Sequence, residues 1–188
     1  MMRALRLVVL CTSAAMLSPM AFAFDATPPV LKAQGTLQVA FTPWDDVQGL
    51  ILEALQRARS EVLVQAYLLT NKPISLALID AHRRGVKVRI LIDANQARDV
   101  KSSKLNQLAD AGISVWLETN YTNAHNKLII IDPAGADPTV ITGSFNFTWS
   151  AQHKNAENIL VARKNPALAA RYAINWERHR QDATLYKK

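Results

Sequence analysis

The sequence predicts an α/β domain whose mixed, largely parallel β-sheet carries helices on both faces. From Thr36 to Glu118, runs of strand character alternate with helical stripes, the pattern of strands joined by helical crossovers. After His125, three strand-like runs follow one another with no helix between them, and a final helix closes the chain. No internal repeat, low-complexity tract or linker divides the pattern, so a single domain is expected.

"TLQVAF", Thr36 to Phe41, alternates and reads as a strand. Asp45 or Asp46 can cap the next helix, where Val47, Leu50, Ile51, Ala54, Leu55 and Ala58 fall on one stripe. "EVLVQAYLL", Glu61 to Leu69, has strand length. Ile74, Ala77, Leu78 and Ala81 mark a second helix ended by Gly85, and "VKVRILID", Val86 to Asp93, is an alternating strand. A helix over about 101–111 stops at Gly112 and leads into "ISVWLE", Ile113 to Glu118. "HNKLIIID", "TVITGSFNFT" and "AENILVAR" are the three consecutive strand-like runs, the first two turned at Gly135, Asp137 and Pro138. From Pro166 a last helix carries Leu168, Tyr172 and Trp176 on one face.

The N-terminus has a different character. Arg3 and Arg6 precede the mostly apolar stretch Leu7 to Leu17, and Ala21-Phe22-Ala23 offers a small-x-small cleavage site, so residues 1–23 read as a secretory signal peptide. A retained anchor is the alternative, but the apolar run is short and broken by Ser13, Ser18 and Pro19. Lipidation at Cys11 is disfavoured by Leu10 before it. The chain is thus expected to be secreted or periplasmic, with the domain over 24–188.

The full chain has 188 residues and a formal charge of +7. Without Arg3 and Arg6, 20 of the 22 basic residues remain against 15 acidic ones, a balance of +5. A basic domain suits nucleic acid, anionic lipid or an acidic substrate, though charge alone also serves solubility. The only cysteine, Cys11, would leave with the signal, which excludes thiolate catalysis, cysteine–metal sites and disulfides. No basic amphipathic helix or exposed apolar stretch is evident after residue 23. Trp44, Tyr121 and Trp149 could stack bases but read first as ordinary packing.

Chemistry gathers late in the chain. In "NAHNKLIIID", His125 and Lys127 share one face of a strand, while Asp132 would fall on the other and anchor the strand end. In "GSFNF", Ser144 and Asn146 share a face, Phe145 and Phe147 turn to the core, and Gly143 lets the backbone approach a neighbour closely. Each piece alone is ordinary: His-x-Lys occurs by chance, Gly-Ser-x-Asn is a common turn, and Glu157 is a surface carboxylate. Together they form a set of donors with little negative charge, suited to the oxygens of a phosphodiester. An imidazole nitrogen can also attack phosphorus when a neighbour such as Glu157 holds the ring.

His125-x-Lys127, four residues, Asp132, then Gly143-Ser144-x-Asn146 resemble the signature of the phospholipase D superfamily, and the downstream Glu157 in "AEN" fits it. Ala66 to Asp93 is similar to the segment that precedes the signature, so the likeness covers nearly the whole of 24–188. One departure is the long spacer between Asp132 and Gly143, where "PAGADP" reads as a lengthened hairpin loop. The resemblance implies the phospholipase D/nuclease-like fold and a phosphodiesterase working through a phosphohistidine, without metal or cofactor. His125 would be nucleophile or acid, with Lys127, Ser144 and Asn146 on the phosphate. Glu157 would orient a histidine, and Asp132 and Gly143 would be structural.

That mechanism needs two histidines, and the chain has one signature. His82 sits in a helix beside two arginines, and His153 and His179 lack the lysine context. The expectation is a homodimer with one composite site. The expected substrate is DNA, with RNA a further candidate, cleaved by a non-specific endonuclease. A phospholipase D acting on lipid head groups is the alternative, and an idle phosphate-binding module a second.

Overall fold

The computed structural model describes residues 27–187, and from Leu31 onward the chain is one compact unit. The expected signal segment lies outside the described residues. The elements run β1 (Thr36–Thr42), α1 (Val47–Arg57), β2 (Glu61–Ala66), α2 (Lys72–Arg83), β3 (Lys87–Asp93), α3 (Ala94–Asp99), α4 (Leu105–Asp110), β4 (Ser114–Glu118), β5 (Lys127–Ile131), β6 (Thr139–Gly143), α5 (Trp149–His153), β7 (Glu157–Arg163), α6 (Pro166–Gln181) and β8 (Thr184–Leu185).

All eight strands join one sheet in the order β1-β7-β6-β5-β2-β3-β4-β8. The fold class stands as α/β and mixed, but the sheet is mostly antiparallel rather than largely parallel. Only the pairs β2–β3 and β3–β4 are parallel; the other five are antiparallel. The cause is the change of connection. Helical crossovers α2 and α3–α4 link parallel neighbours, whereas β5 and β6 are joined by a short hairpin loop. Strands β6 and β7 are joined by a longer connection that carries the short helix α5, where the sequence led one to expect no helix; both connections reverse direction. Strand β1 pairs along its length with β7, which the sequence order alone does not suggest.

The two faces of the sheet bury different sets. Val47, Ile51 and Leu55 of α1, Ile74 and Leu78 of α2, and Leu105 and Leu108 of α4 pack on Val62, Val64, Ile90, Ile92, Ile129 and Val161. Asp46 caps α1 through Gly49 N–H, and Gly85 at φ +90° ends α2, as the sequence leads one to expect. Helix α6 lies on the second face, where Ala169 and Trp176 meet Leu63, Leu91, Leu128, Ile130 and Val140. Trp176 also donates its indole N–H to Val64 O at 2.8 Å, locking α6 onto a central strand. The helix expected over 101–111 is the shorter α4, and a further short helix, α3, precedes it, capped by Asp93 and ended at Val100.

Helix α6 does not reach β1. Ala40 and Thr42 of β1 are buried on the first face, so the alternation turns Leu37, Val39 and Phe41 to the second, where they are 65%, 52% and 49% exposed. An apolar stripe after residue 23 is therefore present, against the sequence expectation. It is exposed because β1 is an edge strand, a property set by long-range pairing.

Candidate active site

The site residues sit at one end of the sheet, where β2, β3, β6 and β1 finish and β5 and β7 begin. His125 stands just before β5 rather than within it. Its neighbours are fastened: Ala124 N–H donates to Asp93 Oδ2 at 2.9 Å, and Asn126 O accepts from Tyr67 N–H at 3.0 Å. Between these anchors the His125 side chain is exposed, its ring 4.3 Å from that of Tyr67. A fixed backbone with an open imidazole is what a nucleophile requires.

Lys127 opens β5, paired with Ala66, and is only 7% exposed. Its Nζ donates to His125 O at 2.6 Å and lies 4.9 Å over the Tyr67 ring. Burial pushes its pKa below the ordinary lysine value, while the Glu157 carboxylate works the other way. A cation held away from water acts strongly on an anion brought beside it.

Gly143 ends β6 against β7, and a Cβ there would stand 2.2 Å from Asn158 O, so only glycine fits this approach. Ser144 N–H donates to Asn158 O at 3.1 Å. Its hydroxyl accepts from Asn158 N–H at 3.1 Å and from Nδ2 at 3.4 Å, leaving the hydroxyl proton to point elsewhere. Phe145 and Phe147 are buried, Ser144 is exposed and Asn146 half-buried, so the expected alternation holds although the strand stops at Gly143. Asn146 Oδ1 has no partner among the described residues.

Glu157 begins β7 opposite Thr42, whose hydroxyl accepts its N–H at 3.1 Å. Its Oε1 accepts from Asn155 Nδ2 at 3.0 Å, while the ring contact of His125 is Tyr67. Within one chain, then, the charge of Glu157 bears on Lys127.

Asp132 stands at the other end of β5, with φ +49°. Its carboxylate accepts the N–H groups of Arg59, Ser60 and Glu61 at 3.0, 2.7 and 2.9 Å, and the Ser60 hydroxyl at 2.7 Å. Burial raises its pKa, but these donors outweigh that and hold it below the usual carboxylate range. It ties the β2 start to the β5 end and belongs to the framework.

Sequence reasoning missed Tyr67, Asp93, Asn155 and Asn158. Asp93 had a signal, a carboxylate at a strand end where a helix starts; the others follow only from strand pairing. Tyr121 packs on His179 (ring centroids 5.1 Å), and burial, with Glu118 and Asp182 nearby, raises its pKa. Trp44 and Trp149, by contrast, are 82% and 56% exposed. His179 Nδ1 lies 2.6 Å from Glu118 Oε1, a buried carboxylate also held by Gln65 Nε2.

Residues 51–180 match the family model described as cardiolipin synthase, PLD-like domain. The chain belongs to the phospholipase D superfamily. It is a phosphodiesterase of that superfamily, with one PLD-like domain. It is 41% identical to a phospholipase D of Rickettsia prowazekii over 144 residues, 77% of this chain and 67% of the relative. It thus spans about two thirds of the length of that protein. It is 32% identical to a mitochondrial cardiolipin hydrolase of Mus musculus over 111 residues, 59% of this chain and 48% of the relative. The crystal structure of the phospholipase D family member Nuc from Salmonella typhimurium superposes with a TM-score of 0.77 at 33% identity, over 82% of this chain and 100% of Nuc.

Proposed function

We propose that this phospholipase D superfamily member hydrolyses the phosphodiester of phospholipid head groups, without metal, through a phosphohistidine on His125. The likeness to relatives named phospholipase D, 41% identical in the first of them, carries the lipid over the nucleic acid. In the reaction an imidazole nitrogen of His125 attacks phosphorus, forming an N–P bond as the P–O bond to the leaving group breaks. A second histidine gives that oxygen its proton. Water then attacks phosphorus, passing a proton to the second histidine, and the N–P bond breaks to free His125. Lys127, Ser144 and Asn146 hold the non-bridging oxygens and offset the charge that builds on them.

The second histidine is a second copy of His125 in a homodimer, and Glu157, engaged with Asn155 in its own chain, orients a histidine there. The uncovered stripe of Leu37, Val39 and Phe41 supports this reading. It lies beside α6 on the same face, and Phe41 pairs with Asn158, the residue that holds Ser144. A second copy closing on this stripe buries apolar surface next to the site. Residues 1–23 direct secretion or periplasmic export, and 24–188 form the single catalytic domain.

A second reading, cleavage of nucleic acid, is favoured by the basic balance. One assay separates them. Purified 24–188 is incubated with phosphatidylcholine vesicles and with plasmid DNA, each with excess EDTA, beside His125→Ala. Head-group release that survives chelation and vanishes in the variant is expected. DNA nicking with intact lipid would install the second reading, and loss of all activity in EDTA would remove the metal-free mechanism.

A further inference from the structure

Two of the four tryptophans are packed: Trp176 is fully buried and Trp116 half-buried. The other two, Trp44 and Trp149, are 82% and 56% exposed. Leaving an indole in water forfeits a large apolar contribution, so an exposed pair in one region calls for a partner.

The pair belongs to one region. Trp44 lies in the turn between β1 and α1, and Trp149 opens α5. Gln152 of α5 donates Nε2 to Asp45 O at 2.9 Å and accepts Gln48 N–H on Oε1 at 2.8 Å, fastening α5 to that turn. The region borders the site: Thr42 Oγ1 donates to Asn155 O at 3.1 Å, and Asn155 Nδ2 holds Glu157. One cation stands beside the exposed rings. Lys154 Nζ stands 5.4 Å over the Trp149 ring, and His153 stacks on the same ring at 4.6 Å. The nearby acids Asp45 and Asp46 are themselves exposed but held, Asp45 accepting Phe41 N–H and Asp46 capping α1 through Gly49 N–H.

We infer that Trp44 and Trp149, with Lys154, form a bilayer-docking prong that seats the site on a phospholipid surface. The inference rests on the phospholipid reading above. Indoles favour the boundary between head groups and acyl chains, with the ring in the apolar layer and the N–H toward water. A lysine beside them adds attraction to anionic head groups. The result is interfacial seating next to Glu157, with no need to draw a lipid out into water.

The test uses vesicles of phosphatidylcholine and phosphatidylglycerol in equal amounts. Acyl-brominated lipid should quench wild-type emission, since only Trp44 and Trp149 are exposed. In co-sedimentation, Trp44→Ala/Trp149→Ala should lose vesicle affinity by about tenfold or more. Hydrolysis of soluble bis(para-nitrophenyl) phosphate should stay within about twofold. Unchanged vesicle affinity would overturn the inference. So would loss of single-stranded DNA binding with vesicle binding intact, or dissociation of a dimer in sedimentation velocity. Failure of the phospholipid reading looks different: no head-group release from detergent-dispersed lipid, whatever the vesicles bind.

Discussion

Lys127 Nζ donates to the carbonyl oxygen of His125 at 2.6 Å, so the buried cation fixes the backbone of the residue whose side chain is left free. Lys127→Met should lower kcat by about a hundredfold or more, the usual cost of one donor at a developing oxyanion. The pH behaviour follows from the depressed lysine pKa. Between the folded value and the ordinary one near 10.5, the unfolded chain binds the extra proton, so wild-type stability rises with pH across that window. The variant lacks this rise. Urea melts from neutral to alkaline pH would show it as a difference in slope.

His125→Ala should reduce turnover by about a thousandfold or more while leaving the melting temperature nearly unchanged, because the side chain is exposed. Circular dichroism and a soluble-diester assay on the same sample check both halves. A large drop in melting temperature would mean that the residue is structural.

Asp132 should behave in the opposite sense. Asp132→Asn keeps the shape but weakens four donor contacts, and a loss of about 1–3 kcal/mol is expected, with activity per folded molecule retained. Because its folded pKa is lowered, its contribution is complete above the ordinary value of 3.8 and disappears as pH falls below that. Acid melts of wild type and variant should therefore converge.

The Glu118–His179 pair gives a prediction away from the chemistry. Removing the imidazole leaves a buried carboxylate with Gln65 alone, so His179→Ala should cost about 3 kcal/mol. Thermal melts read the loss; an unchanged melting temperature would show that water replaces the ring without penalty.

Gly143→Ala sets a Cβ against Asn158 O, backbone that can yield only by parting β6 from β7. A loss of about 1–3 kcal/mol and a weakened grip on phosphate are expected together, since Ser144 is held by the same Asn158. A raised KM for the soluble diester would report the second effect.

The helices and most strands were legible because periodicity and glycine stops such as Gly85 are local signals. Strand direction was not. Parallel pairing through helical crossovers holds only from β2 to β4, and extending it to the whole sheet overstated the parallel part. The pairing of β1 with β7 is non-local, and with it the exposure of Phe41 and the hold of Thr42 on Glu157. The candidate site was legible as a set of residues because the signature lies within one stretch of chain. Asp132 as an anchor at the strand end was legible too; what could not be read was that it binds the start of β2, or that Glu157 meets Asn155 and the field of Lys127. Those relations depend on where a strand stops.

The lengthened loop 133–138 follows Asp132, so all of β5 separates it from His125. Five strand residues rise roughly 16 Å. That pole stands the length of β5 away from the candidate site. Evolution can lengthen the hairpin there, and an experimenter can place a dye or an affinity tag in it, with the chemistry left undisturbed.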